Sequence, residues 1–232
     1  MKLVIVSGGA GGATAAARAR RLDEFSEIVL FERGEHISYA HCGLPYYIGG
    51  VIQNRESLLA STPEKFKSRY QVDVRTRTEV RRILRDEKLW RSLNLTPGRS
   101  TVSDMTNSSF PRALPLSSRP IDGVNFEGIF TLCNLTDADR IVKFILDNKP
   151  ERALVVGAGF IGLELVENLK RLGMEVTLVE MLNQVLPAMD PEMTRPIEAE
   201  LEQNGVNLML GEQVTAFERK KRLRCQKFER RA

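Results

Sequence analysis

Hydrophobic and polar positions fall into one pattern that is used twice. KLVIV (residues 2–6) is a short, β-branched apolar run, as in a parallel strand buried on both faces. A glycine cluster follows, then ATAAARARRLDE (13–24), alanine-rich and helix-favouring, with Arg18, Arg20 and Arg21 towards its end. EIVLFER (27–33) predicts a second strand. The same order returns at 152–180 as RALVV, GAGFIG, LELVENLKRLG and EVTLVE. Strand, glycine turn, helix and strand in about 30 residues make a mononucleotide-binding unit. The pattern therefore predicts an α/β chain of two Rossmann-like three-layer domains.

Between the repeats, TPEKFKSRYQVDVRTRTEV (62–80) predicts a helix from about Pro63, then a strand. GIFTLCNLTDADRIVKFILDNKP (128–150) predicts a strand, then a helix started by Thr136 or Asp137. PEMTRPIEAELEQN (191–204) reads as a helix with proline in its first turn. Residues 96–120 show no periodicity and are rich in Ser, Pro and Thr, an uncommon length of loop for a compact domain. These features divide the chain into a first domain (1–120), a second (121–217) and a tail (218–232).

Composition narrows the classes. At 232 residues, 42% apolar and 28% charged, the chain matches an ordinary globular protein. The net charge of +4 comes from the tail, since residues 219–231 hold eight Lys/Arg and one Glu. The remainder is slightly acidic, which argues against a nucleic-acid-binding body, and the tail reads as solvated and disordered. Three cysteines (Cys42, Cys133, Cys225) and two histidines are too few and too scattered for a zinc or iron–sulfur site, so no metal is expected. An odd cysteine count without a disulfide framework fits a cytoplasmic location. No apolar run reaches the ~18 residues that span a membrane. Leu3–Val6 is too short for a signal-peptide core of about 7–15 residues.

The glycine turns carry the first chemistry. Gly157, Gly159 and Gly162 complete a GxGxxG pattern between strand and helix, and Glu180 ends the next strand. The first glycine permits the turn, the second lets backbone N–H groups approach a pyrophosphate, and the third lets helix and strand pack closely. Glu180 suits two ribose hydroxyls and repels a 2′-phosphate, favouring NADH over NADPH. The first turn, SGGAGG, has Gly9 and Gly12 at the second and third places but Ser7 at the first, with Glu32 twenty residues after Gly12. It is either a second nucleotide site or a packing turn. Two nucleotide folds suggest FAD in the first and NAD(P)H in the second.

ISYAHCGLPYYIGG (37–50) places Cys42 in a polar turn marked by glycine and proline, with no second cysteine nearby. Cys133, within IFTLCNL, reads as a buried small hydrophobe instead. If a helix begins at Cys42, its N–H groups would favour thiolate. A solitary redox cysteine must cycle through a mixed disulfide with a small thiol, a persulfide or a sulfenic acid.

GGATAAARARRL, IVLFERGEHISYAHCGLPYYIGG, TPEKF, FTLCNLTDADRI, GFIGLELVENL and VEMLNQVLPAMDPEM together resemble the single-cysteine branch of the FAD-dependent pyridine nucleotide–disulfide oxidoreductases. Within it they are most similar to coenzyme A disulfide reductases and the related NADH oxidases and persulfide reductases. The resemblance implies that Cys42 is the redox-active nucleophile. It implies that Ser7, Gly8, Gly9, Ala10, Gly11, Gly12, Glu32 and Arg33 hold FAD. Gly157, Gly159, Phe160, Ile161, Gly162, Glu164 and Glu180 would hold NAD(P)H. Thr14, Arg18, Arg21, Ser38 and His41 fall where the family contacts a coenzyme A-like disulfide, with His41 replacing the usual Asn. Ala10 stands where peroxidase and some oxidase relatives carry a catalytic His, which favours disulfide or persulfide reduction over an oxidase cycling a sulfenic acid. The family forms homodimers.

Two departures follow from the resemblance. The family carries a strand like YDKL–hydrophobic–LSPGA near residues 104–120. With a suitable choice of synonymous codons, MTNSSFPRALPLSSRP read one nucleotide out of step yields YDKLILSPGASPFVP, so a compensated frameshift is expected there. After GEQVTAFE the family continues with further nucleotide-binding segments and a dimerisation domain, so an inactive nucleotide-binding fragment is the other reading of this chain.

Overall fold

The computed structural model describes residues 2–84, 89–94, 100–104, 107–109, 121–220, 222–225 and 228–230, with side chains over 2–82 and 121–218. The chain opens with β1 (Lys2–Val6), α1 (Ala10–Leu22) and β2 (Glu27–Phe31), then α2 (Leu44–Ile48), α3 (Pro63–Tyr70) and β3 (Asp73–Arg75). Next come β4 (Thr78–Leu84), β5 (Leu89–Asn94), β6 (Ser100–Asp104) and β7 (Asn107–Ser109). After residue 121 follow α4 (Leu135–Asn148), β8 (Arg152–Val156), α5 (Phe160–Arg171) and β9 (Glu175–Glu180). Then come α6 (Pro191–Gln203), β10 (Asn207–Leu210), β11 (Glu212–Val214), β12 (Phe217–Lys220), β13 (Arg222–Cys225) and β14 (Phe228–Arg230). Among the described residues no helix is long and apolar enough to cross a membrane.

The elements form two compact units, the first from residues 1–40 and 56–116, the second from 41–55 and 117–232. The first unit has a parallel sheet in the order β3-β2-β1-β7, with Leu3 opposite Ile28 and Ile5 opposite Leu30. Side chains alternate across a strand. Ile5, Ile28 and Leu30 therefore face Ala13, Ala16 and Ala17 of α1 and Phe66 of α3. Val4, Val29 and Phe31 make the opposite cluster, with Val80 of β4 against it. This is the three-layer arrangement expected. The three alanines, at helical spacing, leave α1 no bulk on its inner face, so helix and sheet approach closely. β4, β5 and β6 form a separate antiparallel sheet.

Arg20 fastens this unit together. Its Nε donates to the Tyr70 carbonyl (2.8 Å) and Nη2 to that of Gln71 (3.0 Å), while Nη1 reaches the carbonyls of Asp23 (3.2 Å) and Glu24 (2.6 Å). One guanidinium thus satisfies carbonyls at and just past the C-terminal ends of α1 and α3, where no helical partner exists.

The second unit repeats the plan with the parallel sheet β10-β9-β8. Val176, Leu178, Val166 and Leu169 are buried in it. Its helix α4 begins earlier than expected. Asn134 is the N-cap of α4 and accepts from the Asp137 N–H (2.9 Å), while the Asp137 carboxylate accepts from the Cys133 N–H (3.1 Å). This reciprocal cap, not Thr136 or Asp137, sets the start. The strand expected just before it is absent. Residues 123–129 turn through the hydrogen bonds Phe126 N–H to Gly123 and Ile129 N–H to Phe126, and Phe130 packs edge-on to Phe144 of α4 (5.2 Å). Its apolar residues serve side-chain packing rather than a ladder.

The tail also differs from expectation. In its described residues β12 pairs antiparallel with β13 and β14 with β11. Ladder hydrogen bonds join backbone groups, so even a charged sequence can supply a strand partner. Most of the stretch assigned to the frameshift lies outside the described residues, of which Asn107–Ser109 run parallel to Leu3–Ile5.

Arg20→Ala leaves four carbonyls without their donor. Urea unfolding should show a loss of about 2–3 kcal/mol, the scale of hydrogen bonds to a charged group. Arg20→Lys should recover little of it, since an ammonium lacks the fork.

Candidate functional site

The two glycine turns are built alike, contact for contact. Ser7 (φ 108°) donates its N–H to the carbonyl of Phe31, and Gly157 (φ 103°) donates to that of Val179, each at 2.8 Å. The next residue donates to a glutamate at the end of the second strand: Gly8 to Glu32 Oε2 (2.6 Å), Ala158 to Glu180 Oε2 (2.8 Å). The other carboxylate oxygen accepts from Gly34 (2.6 Å) in the first unit and Leu182 (3.0 Å) in the second. The carbonyls of Gly8 and Ala158 each accept a returning N–H at 2.9 Å, from Ser38 and Leu186, both at positive φ.

Gly9 and Gly159 are the extended N-caps of α1 and α5, with no side-chain cap. Free N–H groups and partial positive charge at such an end suit a phosphate. The third glycines are compelled by packing. A Cβ on Gly12 would lie 1.7 Å from the Ser7 carbonyl oxygen, and one on Gly162 would lie 2.0 Å from that of Gly157. Nothing stands within 4 Å of a Cβ built on Gly157 or Gly159, so this cradle is open to a ligand. Phe160 and Ile161 begin α5 exposed, while Glu164 is half-buried and its carbonyl accepts from Asn168. Arg33 is exposed, 3.9 Å from Glu79. Ala10 and Gly11 form the first turn of α1.

Thr14, Arg18 and Arg21 share the outer face of α1 at helical spacing. Thr14 and Arg21 line a pocket of about 530 Å³ together with Ser38, and α3 adds Lys65, Phe66 and Arg69. Arg18 is exposed and outside the lining. Arg69 lies over the Tyr70 ring (5.4 Å). Lys65 and Arg69 were not among the expected site residues, although the i, i+4 spacing from the lysine of TPEKF places two cations on one face.

In the second unit His41, Cys42 and Gly43 make a single 3-10 turn, and α2 starts at Leu44, two residues after the thiol. Cys42 is exposed. Cys133 is half-buried, and burial, then the Asp137 carboxylate, push its thiol pKa up and away from reactivity.

α2 is held on two sides. Tyr47 donates to Asp139 Oδ1 of α4 (3.2 Å), and Arg55 closes a fork on the same carboxylate, Nε at 2.9 and 3.1 Å and Nη2 at 2.8 Å. On the other side Gly49 meets Asn168 of α5, where an added Cβ would stand 2.2 Å from Asn168 Oδ1. Asn168 is fully buried. Its Nδ2 donates to the Glu164 carbonyl (2.7 Å), and Oδ1 has no hydrogen-bond partner among the described residues.

A sequence profile described as pyridine nucleotide-disulphide oxidoreductase matches residues 1–230. The chain belongs to this family. Its members use flavin and pyridine nucleotides, the two cofactors that the paired turns suggest. The coenzyme A disulfide reductase of Staphylococcus aureus (strain bovine RF122 / ET3-1) is 38% identical over 218 residues, which is 93% of this chain and 49% of that protein. The chain therefore spans about half the length of the curated relatives it matches. Reduced Bacillus anthracis CoADR-RHD superposes with a TM-score of 0.90 at 43% identity, covering 99% of this chain and 42% of that one. An NAD-dependent persulfide reductase from A. fulgidus gives 0.88 at 34%, covering 94% and 41%.

Burial, then the Asp139 charge and hydrogen bond, raise the Tyr47 pKa above its ordinary value of 10.0. A raised pKa means that the fold favours the neutral phenol. Its contribution is complete below about pH 10 and is lost as pH climbs through the folded-state value. Tyr47→Phe should therefore melt with a flatter pH dependence above pH 10 than the parent. Gly49→Ala should lower the melting temperature by several degrees, because the atoms it meets belong to a buried side chain.

Proposed function

We propose that this chain is the nucleotide-binding portion of an FAD-dependent oxidoreductase that passes electrons from NAD(P)H to Cys42, which reduces a small disulfide or persulfide of the coenzyme A type. The observation that carries the substrate class is the pocket of Thr14, Arg21 and Ser38, whose α3 wall adds Lys65 and Arg69. Three cations among the hydroxyls of Thr14, Ser38, Ser61 and Ser68 suit a phosphorylated ligand. Ser38 donates its backbone N–H to Gly8, and the thiol of Cys42 follows four residues along the chain.

Each residue has a task in this reading. Gly8, Gly9 and the start of α1 receive the FAD pyrophosphate, and Glu32 turns its carboxylate to the ribose. Gly159, the start of α5 and Glu180 do the same for NADH, Glu180 repelling a 2′-phosphate. FAD, when bound, relays an electron pair from the nicotinamide to sulfur. The Cys42 thiolate attacks one sulfur of RS–SR, forming a Cys42–S–S–R bond and expelling RS⁻. Two electrons and one proton then break that bond, releasing RSH and restoring the thiolate. Arg21 and Lys65 hold the phosphates of the incoming ligand.

The test uses the purified 232-residue chain. It should show a flavin absorbance spectrum and, given NADH and coenzyme A disulfide, release free thiol. Cys42→Ser should abolish thiol release and keep the flavin. Arg21→Ala should raise KM for the disulfide several-fold with kcat little changed. Thiol release that survives Cys42→Ser overturns the reading. Oxygen consumption without thiol release marks an oxidase, and a colourless, inactive chain marks a nucleotide-binding remnant.

A further inference from the structure

We infer that Ser7 sets the affinity of the first crevice through its hydroxyl, by donating to the dinucleotide's pyrophosphate, a role its counterpart Gly157 cannot have. The inference rests on the reading that this crevice takes FAD. Ser7 and Gly157 occupy one position in two equivalent turns. Both donate N–H to the end of the neighbouring strand at 2.8 Å, and both are passed by the third glycine of the turn. Their φ values, 108° and 103°, lie where glycine is at ease and a residue with a Cβ is strained.

Core packing gives the serine no reason to be there. At the matching position a Cβ on Gly157 meets no atom within 4 Å, so a side chain here faces the open crevice. The Ser7 hydroxyl accepts from the Gly9 N–H at 3.4 Å. Gly9 caps α1, and its N–H belongs to the set that would meet a phosphate. A hydroxyl that accepts this N–H still has its own O–H to give. A phosphate oxygen arriving at the helix end is an acceptor for that proton, and the bond is charge-assisted. The strain is present whether or not the crevice is filled, whereas the compensating bond exists only with ligand. Serine at this place therefore trades stability of the empty unit for grip on the nucleotide.

Two variants separate the contributions. Ser7→Gly removes both strain and hydroxyl, and Ser7→Ala removes the hydroxyl but keeps the Cβ. FAD is titrated into the deflavinated 232-residue chain and followed by flavin fluorescence, and the empty chains are melted. The Kd for FAD should rise roughly tenfold in both variants. The melting temperature of the empty chain should rise by about 2–4 °C in Ser7→Gly and stay near the parent in Ser7→Ala. Ser7→Gly that binds FAD as tightly as the parent overturns the inference and leaves the cofactor reading intact. Ser7→Gly that melts lower than the parent overturns the strain argument. A parent that takes up no FAD overturns the cofactor reading itself, and this inference with it.

Discussion

Both nucleotide turns depend on one carboxylate each. A chain reversing so tightly leaves N–H groups that no helix or strand can satisfy, and burying them bare is costly. Glu32 and Glu180 meet the need from the neighbouring strand, one oxygen on the turn and the other on the residue two places beyond. Strand, turn and helix start are thereby fixed relative to each other before any ligand arrives. The group that shapes the turn is also one chemically suited to a ribose, so under the proposed function the crevice is organised in advance.

The segment bearing Cys42 is treated differently. It is short, and its helix has a single turn, so the surrounding scaffold must provide its rigidity. Asp139 does this on one side by gathering a phenol and a guanidinium, and Asn168 does it on the other by contact with a bare backbone. The proposed role of Cys42 would need support of this kind from rigid elements beneath it.

The repeated β–turn–α–β pattern was readable because its signals are local: apolar runs, glycine spacing, and an acid at a fixed distance. Glu32 and Glu180 were legible for that reason, as were α1, α5 and β9. The start of α4 was not legible because Asn134 caps through its side chain three residues before the first acid, Asp137. The run at 128–133 looked like a strand because periodicity cannot tell apolar residues that pack on a helix from those that pair in a sheet. The arginines of α1 show the same limit. Arg18, Arg20 and Arg21 are indistinguishable in sequence, yet one is solvated, one ties four carbonyls and one lines a pocket. Their tasks depend on where α3 lies, and nothing near them in the sequence states that.

The crossing of α2 and α5 places an unusual demand on drift in this lineage. Gly49 and Asn168 are 119 positions apart, yet no room separates them for even one methyl group. A bulkier residue at one is tolerable only after the other has shrunk, so viable changes must come as a pair and in a set order. Natural variation should therefore show the two positions changing together or not at all, like two teeth of one gear.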